Sequence, residues 1–524
     1  MKLTRKSIDK YRFLHGRVSK RMLLLNIVMA ITYFFILAFG FQPGNHLLFY
    51  LLIAGEVYHL YQIIGYCISI WGIETNVPFD NSFRPGVDIF VTVCGEPIDI
   101  VRTTVRAIKA MRYPNFKVYI LNDGLVAKKD NWREVELLAV EEEVICITRT
   151  ISGGAKAGNI NNALKHSDNP YVVIFDADHA PHPDFLIKTI GYFIDSKMAF
   201  VQTPQYYKNY QVNMITEAAW DQQSLFFGSI MKGKNRFNSA FMCGTNMILN
   251  REAIKQVGGM CEHNIAEDFL TSLFIHQKGW NSYYLAEVLA EGLAPEDFLS
   301  YYKQQYRWAR GSLEVVFNYN PLFRRGLTFA QKMQYLISAS YFLSGIIVVF
   351  DAILPLIFLY TGIIAVRTSS MELAIIFIPY IFLTLFTLQL SSNYSVSFKA
   401  IAFSLSSFFL QIRALFALLL RQKTSFSVTS KKQLEGNFLF LTVPHITYIS
   451  LAVIGLAYAL IRHGFSASLI ANASWALINA AVFLLFIRGS LPQKKTVKHV
   501  SEPMVQRAKN IPIEAREVSR GEIV

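Results

Sequence analysis

Two carboxylates, Asp176 and Asp178, flank a single alanine directly after the apolar run Tyr171-Val-Val-Ile-Phe175. Carboxylates one residue apart at a strand end offer hard oxygen ligands to a divalent cation. Magnesium held this way keeps several waters and bridges to substrate phosphates, where it would offset charge building on a departing diphosphate. A solvated acidic turn has the same Asp-x-Asp pattern, so the neighbours decide. Glu96 follows the run Val87–Val93, and Asp123 follows Lys117–Leu121; carboxylates there can accept hydrogen bonds from a base or ribose. Lys156 lies in Gly153-Gly-Ala-Lys-Ala-Gly-Asn159, read as a loop whose glycines let backbone approach a phosphate closely. Such features at successive strand ends are hard to attribute to turns.

Two further groups lie downstream. Glu267-Asp268 precedes a helical pattern, Phe269 to Gln277. An isolated aspartate there would serve as a helix cap; the functional reading of Asp268 is a general base that takes a proton from an acceptor hydroxyl. Gln304, Arg307 and Trp308 share one helix face by their spacing. Arg307 can pair with diphosphate oxygens, and Trp308 offers an apolar face to a sugar ring. The competing reading is a helix packed at a membrane surface, where Trp and Arg are common.

Strands must position these groups. Short β-branched runs at Val87–Val93, Lys117–Leu121, Val144–Thr148 and Tyr171–Phe175 alternate with helical patterns, the first from Ile100 to Met111. That alternation predicts an α/β domain, a mainly parallel sheet with helices on both faces. In such sheets ligands bind beyond the carboxyl ends of the strands, where the polar residues above fall.

The chain of 524 residues is 52% hydrophobic, with the apolar excess near its start and across its final third. Met22–Phe41 and about 47–71 are long enough to span a bilayer, the second carrying Glu56 and His59, which must face other helices. Hydrophobicity resumes at about 335–366, after Arg324, Arg325 and Lys332, as an interfacial helix leading into one span. Further spans are expected at about 372–391, 441–461 and 468–487, whereas 398–421, interrupted by Lys399, Arg413 and Arg421, reads as a helix lying in the interface. The expected organisation is therefore residues 1–79 with two membrane helices, 80–320 as the soluble domain, 321–488 with about four more helices, and 489–524 as a basic tail. Six spans leave both ends in the cytosol, in keeping with the flanking basic residues. The net charge of +14 is assigned mainly to this topology, since no nucleic-acid-binding signature accompanies it. Five cysteines without a CxxC pair support neither a disulfide framework nor a zinc site.

As an ordered set, Asp123, Asp176-x-Asp178, Glu267-Asp268 and Gln304-x-x-Arg307-Trp308 resemble the processive family-two glycosyltransferases, the catalytic subunit of bacterial cellulose synthase most closely. The match extends through Val87-Asp-Ile-Phe-Val, Lys156-Ala-Gly-Asn159, Asp176-Ala-Asp-His-Ala-Pro181, Phe241-Met-Cys-Gly-Thr245, Gly292-Leu-Ala-Pro-Glu296 and Phe426-Ser-Val-Thr-Ser-Lys431. The resemblance implies a GT-A-like cytosolic domain on a multi-pass region of a plasma membrane, the inner membrane of a bacterium. It implies that Glu96, Asp123 and Lys156 contact UDP, and that Asp176 and Asp178 hold the diphosphate with Mg2+ or Mn2+. Asp268, beside Glu267, would be the base. Gln304, Arg307 and Trp308 would form the acceptor end, Arg307 also reaching the donor, with Cys243 near the polymer entrance. Phe426, Val428, Thr429 and Lys431 would belong to a gating loop. The implied reaction polymerises a UDP-sugar, UDP-glucose first, onto a growing β-glucan that leaves through the chain's own channel among membrane lipids, with room for accessory secretion subunits. Another β-polysaccharide (1,3-linked or mixed-linkage glucan, mannan, a hyaluronan- or chitin-like polymer) or a single transfer to a lipid carrier are the alternatives. The pattern departs at Asn122, where the branch usually has an aspartate, and at Ala266, where it has threonine. Residues 489–524 are too short for a cyclic-di-GMP-binding barrel, so in-chain control by that nucleotide is not expected.

Overall fold

The computed structural model describes residues 11–72, 75–422, 434 and 436–493. Its central sheet, seven-stranded among the described residues, is built from β1 (Val87–Val93), β2 (Phe116–Asn122), β3 (Ile145–Thr148), β4 (Tyr171–Asp176), β5 (Met198–Gln202), β6 (Met247–Asn250) and β7 (Asn281–Tyr284). The order is β7-β5-β6-β4-β1-β2-β3. Every pairing is parallel except those of β6, which runs against both β4 and β5.

Every residue of β1 is buried, as a strand covered on both faces requires. Ile89 and Val91 pack with Val101, Val105 and Ile108 of α1 (Ile98–Lys109) and with Leu138 of α2 (Trp132–Glu141). Phe90 points the other way, toward Ala157, Ile160 and Ala163 of α3 (Ala155–Leu164). One charge lies within this core: the Asp88 carboxylate, fully buried, accepts from Arg251 Nη2 at 2.8 Å and from the Asn169 amide at 2.7 Å. That cluster ties β1 to the segments flanking β4 and β6.

Three longer helices of the soluble part border the site: α4 (Met214–Leu225), α5 (Glu267–Gln277) and α6 (Phe298–Asn318). The sequence expectation is corrected at Lys156, which stands in the first turn of α3 and not on a loop.

Seven candidate membrane spans occur among the described residues, one more than the six expected. They are formed by Lys20–Gly40, by α7 (His46–Ser69), by α8 (Phe329–Ser340) running into α9 (Ser344–Thr361), by α10 (Ser370–Ser391), by α11 (Phe398–Ser406) with α12 (Phe408–Leu419), and by α13 (Val443–His463) and α14 (Ala467–Ser490). The additional candidate is Phe398–Leu419, the segment read from its charges as interfacial. It is broken at Ser407 and is the most buried of the seven. At 1.5 Å per residue neither half alone covers the ~30 Å apolar core.

The helix before α9, α8, runs beside α7: Ser69 Oγ donates to Gln334 Oε1 (2.9 Å), Ile337 presses on Gly65, and Gln62 Nε2 donates to Ser340 Oγ (3.2 Å). Glu56 and His59 face other helices as expected. The Tyr33 hydroxyl donates to Glu56 at 3.1 Å, and the His59 ring lies 3.6 Å from Glu56 and 3.7 Å from Asp351 of α9.

Candidate active site

β4 ends on Asp176 because the apolar run gives way to two acids there. The backbone N–H of Asp176 donates to Thr245 Oγ1 (2.9 Å), and its Oδ1 accepts from Thr92 Oγ1 (3.2 Å). The same carboxylate pairs with Lys156 Nζ, which also donates to the Gly244 carbonyl (2.8 Å). Asp178, buried, accepts from the backbone N–H of Leu293 (3.1 Å). That contact comes from a small sheet of Ala180–Pro181, Tyr206–Tyr207 and Ala290–Gly292. Gly292 lies so close to His179 that a Cβ there would sit 2.3 Å from Nε2.

Among the described residues one cluster has the composition of a metal site. Ligand atoms of Asp176, Asp178 and His179 lie within 4.8 Å of one another. Both His179 ring nitrogens are buried without a hydrogen-bond partner, Nδ1 lying 3.4 Å from Asp178 Oδ1. A buried polar group left unsatisfied is costly, so an imidazole held this way beside two hard carboxylates fits a divalent cation.

At the ends of β1 and β2 the other donor-side residues are fixed. Glu96 Oε2 accepts from the Cys94 N–H at 2.5 Å. Asp123 is held by Arg149 through Nε (2.8 Å) and Nη2 (2.6 Å). Burial raises the Asp123 pKa, and the guanidinium works against that rise. Asn122, the departure from the family pattern, is structural: its Oδ1 accepts from the Gly124 N–H (2.9 Å) and its Nδ2 donates to the Trp132 carbonyl (2.8 Å).

Asp268 is the second residue of α5, whose N-cap is Ala266 with no side-chain cap bond. It is therefore not a cap. Its Oδ1 accepts from the Phe269 N–H (2.7 Å), and Gly244, at φ +82°, lets the chain pass so near that a Cβ would lie 3.1 Å from Oδ2. Burial, reinforced by the charge of Glu267, pushes the Asp268 pKa up to about 7. Glu267 is likewise raised by burial. Lys156 would lose its proton more readily through burial, but Asp176, Glu267 and Asp268 around it raise its pKa overall.

Glu96, Asp123, Arg149, Lys156, Asp176, Asp178, His179, Glu267 and Asp268 line one cavity of about 870 Å³, together with Cys243 and with Gln304, Arg307 and Trp308 of α6. The cavity continues to the membrane helices, reaching Gln62 and Tyr66 of α7, Thr384 of α10, Ser404 of α11 and Gln411 of α12. Phe426, Val428, Thr429 and Lys431 lie outside the described residues. Sequence reasoning missed His179, Arg149 and Tyr207 as residues of this cavity. The position of Arg149 directly after β3 carried the same strand-end signal as Asp123.

A mainly parallel sheet with an acidic rim at its carboxyl edge that could hold a cation defines a GT-A-like domain, here joined to apolar helices. A mannosyltransferase from Pyrobaculum calidifontis, solved in complex with GDP-Man and Mn2+, shares the fold at a TM-score of 0.52 and 16% identity, over 72% of this chain and all of that one. The Glycosyltransferase like family 2 model matches residues 85–311 and the Cellulose synthase model residues 255–483.

The chain belongs to the family-two glycosyltransferases of the cellulose-synthase type. It is 32% identical to Cellulose synthase 2 of Novacetimonas hansenii over 434 residues, 80% of this chain and 27% of that protein. It is 34% identical over 306 residues to the Cellulose synthase catalytic subunit [UDP-forming] of Xanthomonas axonopodis pv. citri, 56% of this chain and 41% of that one. The corresponding subunit of Pseudomonas fluorescens is 28% identical over 486 residues, 88% of this chain and 65% of that one. The chain thus spans less than two thirds of these relatives' own length.

Proposed function

We propose that this chain is a processive, inverting glycosyltransferase that polymerises a UDP-sugar, UDP-glucose first among them, into a β-glucan such as cellulose and passes it through its membrane helices. The observation that carries the reading is the single cavity that holds the carboxylates and Lys156 at one end and reaches Gln62, Thr384 and Gln411 at the other. Relatives whose names include "UDP-forming" support the choice of nucleotide.

In this reading Glu96 and Asp123 receive the nucleoside and Lys156 faces the diphosphate. Asp176, Asp178 and His179 would hold Mg2+ or Mn2+, which supplies positive charge to the leaving diphosphate. Asp268 takes the proton from the acceptor hydroxyl as its oxygen attacks the anomeric carbon; a base titrating near neutrality suits this step. Gln304, Arg307 and Trp308 orient the acceptor end, and Cys243 borders the path. The soluble domain faces the cytosol of a bacterial inner membrane, an orientation favoured by Arg17, Lys20 and Arg21 ahead of the first span.

The test incubates purified protein with UDP-glucose and Mg2+, then digests any polymer with linkage-specific glucanases. A product cut by a 1,4-β-glucanase supports cellulose. A 1,3-linked product, or a single sugar on lipid, would redirect the assignment.

A further inference from the structure

Arg149 directly follows β3, is 8% exposed, and lines the cavity between the two ends of the donor site. Its guanidinium makes contacts in two directions. Toward the nucleoside end, Nε and Nη2 grip both Asp123 oxygens at 2.8 and 2.6 Å. Toward the diphosphate end, Nη1 donates to the Gly153 carbonyl and Nη2 to the Ala155 carbonyl at 3.2 Å. Those carbonyls belong to the turn that launches α3 and delivers Lys156. The turn is unusual: Gly153, Gly154 and Ala155 all have positive φ (+143°, +63° and +44°). For alanine that conformation is disfavoured and persists only when surrounding contacts impose it.

We propose that Arg149 is a positioning residue that sets the spacing between the nucleoside-binding carboxylate and the diphosphate-binding ammonium, acting through Asp123 and Lys156 and not by touching the reacting atoms. The inference rests on the donor-site reading given above. A planar guanidinium can engage a carboxylate with two parallel bonds and still reach carbonyls behind it; a lysine ammonium, a point donor, cannot. The space around it is closed, since a Cβ on Gly158 would lie 2.6 Å from Nη1 and 2.2 Å from the Gly153 oxygen. Ionised carboxylates keep further lone pairs, so Asp123 can serve Arg149 and a nucleoside at once.

The experiment measures UDP binding by calorimetry, and KM and kcat for UDP-glucose, on the purified full chain with Mg2+. Arg149→Gln should raise the UDP Kd and the donor KM at least tenfold while kcat changes far less, and Arg149→Lys should not restore them. The double variant D123N/R149Q should be no more than twofold worse than the weaker-binding single variant, since both break one link. Adding Ala155→Gly to Arg149→Gln should recover part of the loss, because glycine holds a positive φ unaided. Arg149→Gln or Arg149→Lys with parental Kd and KM, multiplicative losses in the double variant, or no rescue by Ala155→Gly would each overturn the proposal. Should Arg149→Gln fail to fold, Arg149→Lys with and without Ala155→Gly carries the same comparison. A wild-type chain that binds no uridine nucleotide would overturn the donor-site reading as well, whereas normal wild-type binding with an unaltered Arg149→Gln overturns only the role of Arg149.

Discussion

Asp268 is half-buried with Glu267 next to it, and the two compete for the charge of one lysine. Because its pKa is raised to about 7, Asp268 in the proposed role of base would be protonated on the acid side and active above. The rate of polymer formation should therefore climb as pH rises through about 7, read from a pH profile of kcat/KM. Glu267→Gln removes a negative neighbour and should move that limb to lower pH; an unmoved limb would separate Glu267 from the base. Asp268→Asn and Asp178→Asn should each abolish polymer formation in protein that still inserts. Asp178 was readable in the sequence because it follows an apolar strand run, where a polar residue has no packing role, and Asp268 because it opens a helical pattern beside a second acid. His179 was not, since an imidazole after Asp178 becomes informative only when its ring nitrogens are seen without partners.

At the level of elements, the strand ends were predictable from β-branched runs cut off by Gly, Pro or acids, and β1, β2, β3 and β4 lie where those runs do. What sequence pattern could not supply was tertiary. That α8 lies along α7 depends on Gly65 being small enough for Ile337, whose Cδ1 would lie 2.8 Å from a Cβ. The division of Phe398–Leu419 into two helices at Ser407 was likewise not marked by its charges, Lys399, Arg413 and Arg421. Within the sheet, Asp88 and Arg251 form a buried pair. Removing one partner strands the other, at a cost of roughly 3–5 kcal/mol. Asp88→Ala should thus lower the thermal midpoint of the purified chain markedly, far more than Asp168→Ala, whose partner Lys117 is exposed. On α6, Trp308→Ala should impair elongation more than release of UDP to water. Equal losses in both assays would remove Trp308 from the acceptor end.

For the molecule as a whole, the decisive feature is one space shared by soluble and membrane parts. Under the proposed function, a product formed beside Asp268 would have its path already before it, along α7, α10 and α12. Ser404 lines that path, its Oγ accepting from Gln222 Nε2 at 2.9 Å, so Ser404→Trp should shorten the polymer, read by size-exclusion of the product, while initial UDP release continues. Parental product length would argue that polymer leaves by another route. Lys156 adds a coupling to this geometry. Its ammonium is shared by Asp176, Glu267 and Asp268 and so weakens the proton affinity of the last. An arriving diphosphate would draw on the same ammonium and relieve Asp268 of that influence. Loading the donor would thus raise the proton affinity of Asp268, and the pH limb of the loaded enzyme would lie above that of the chain without nucleotide.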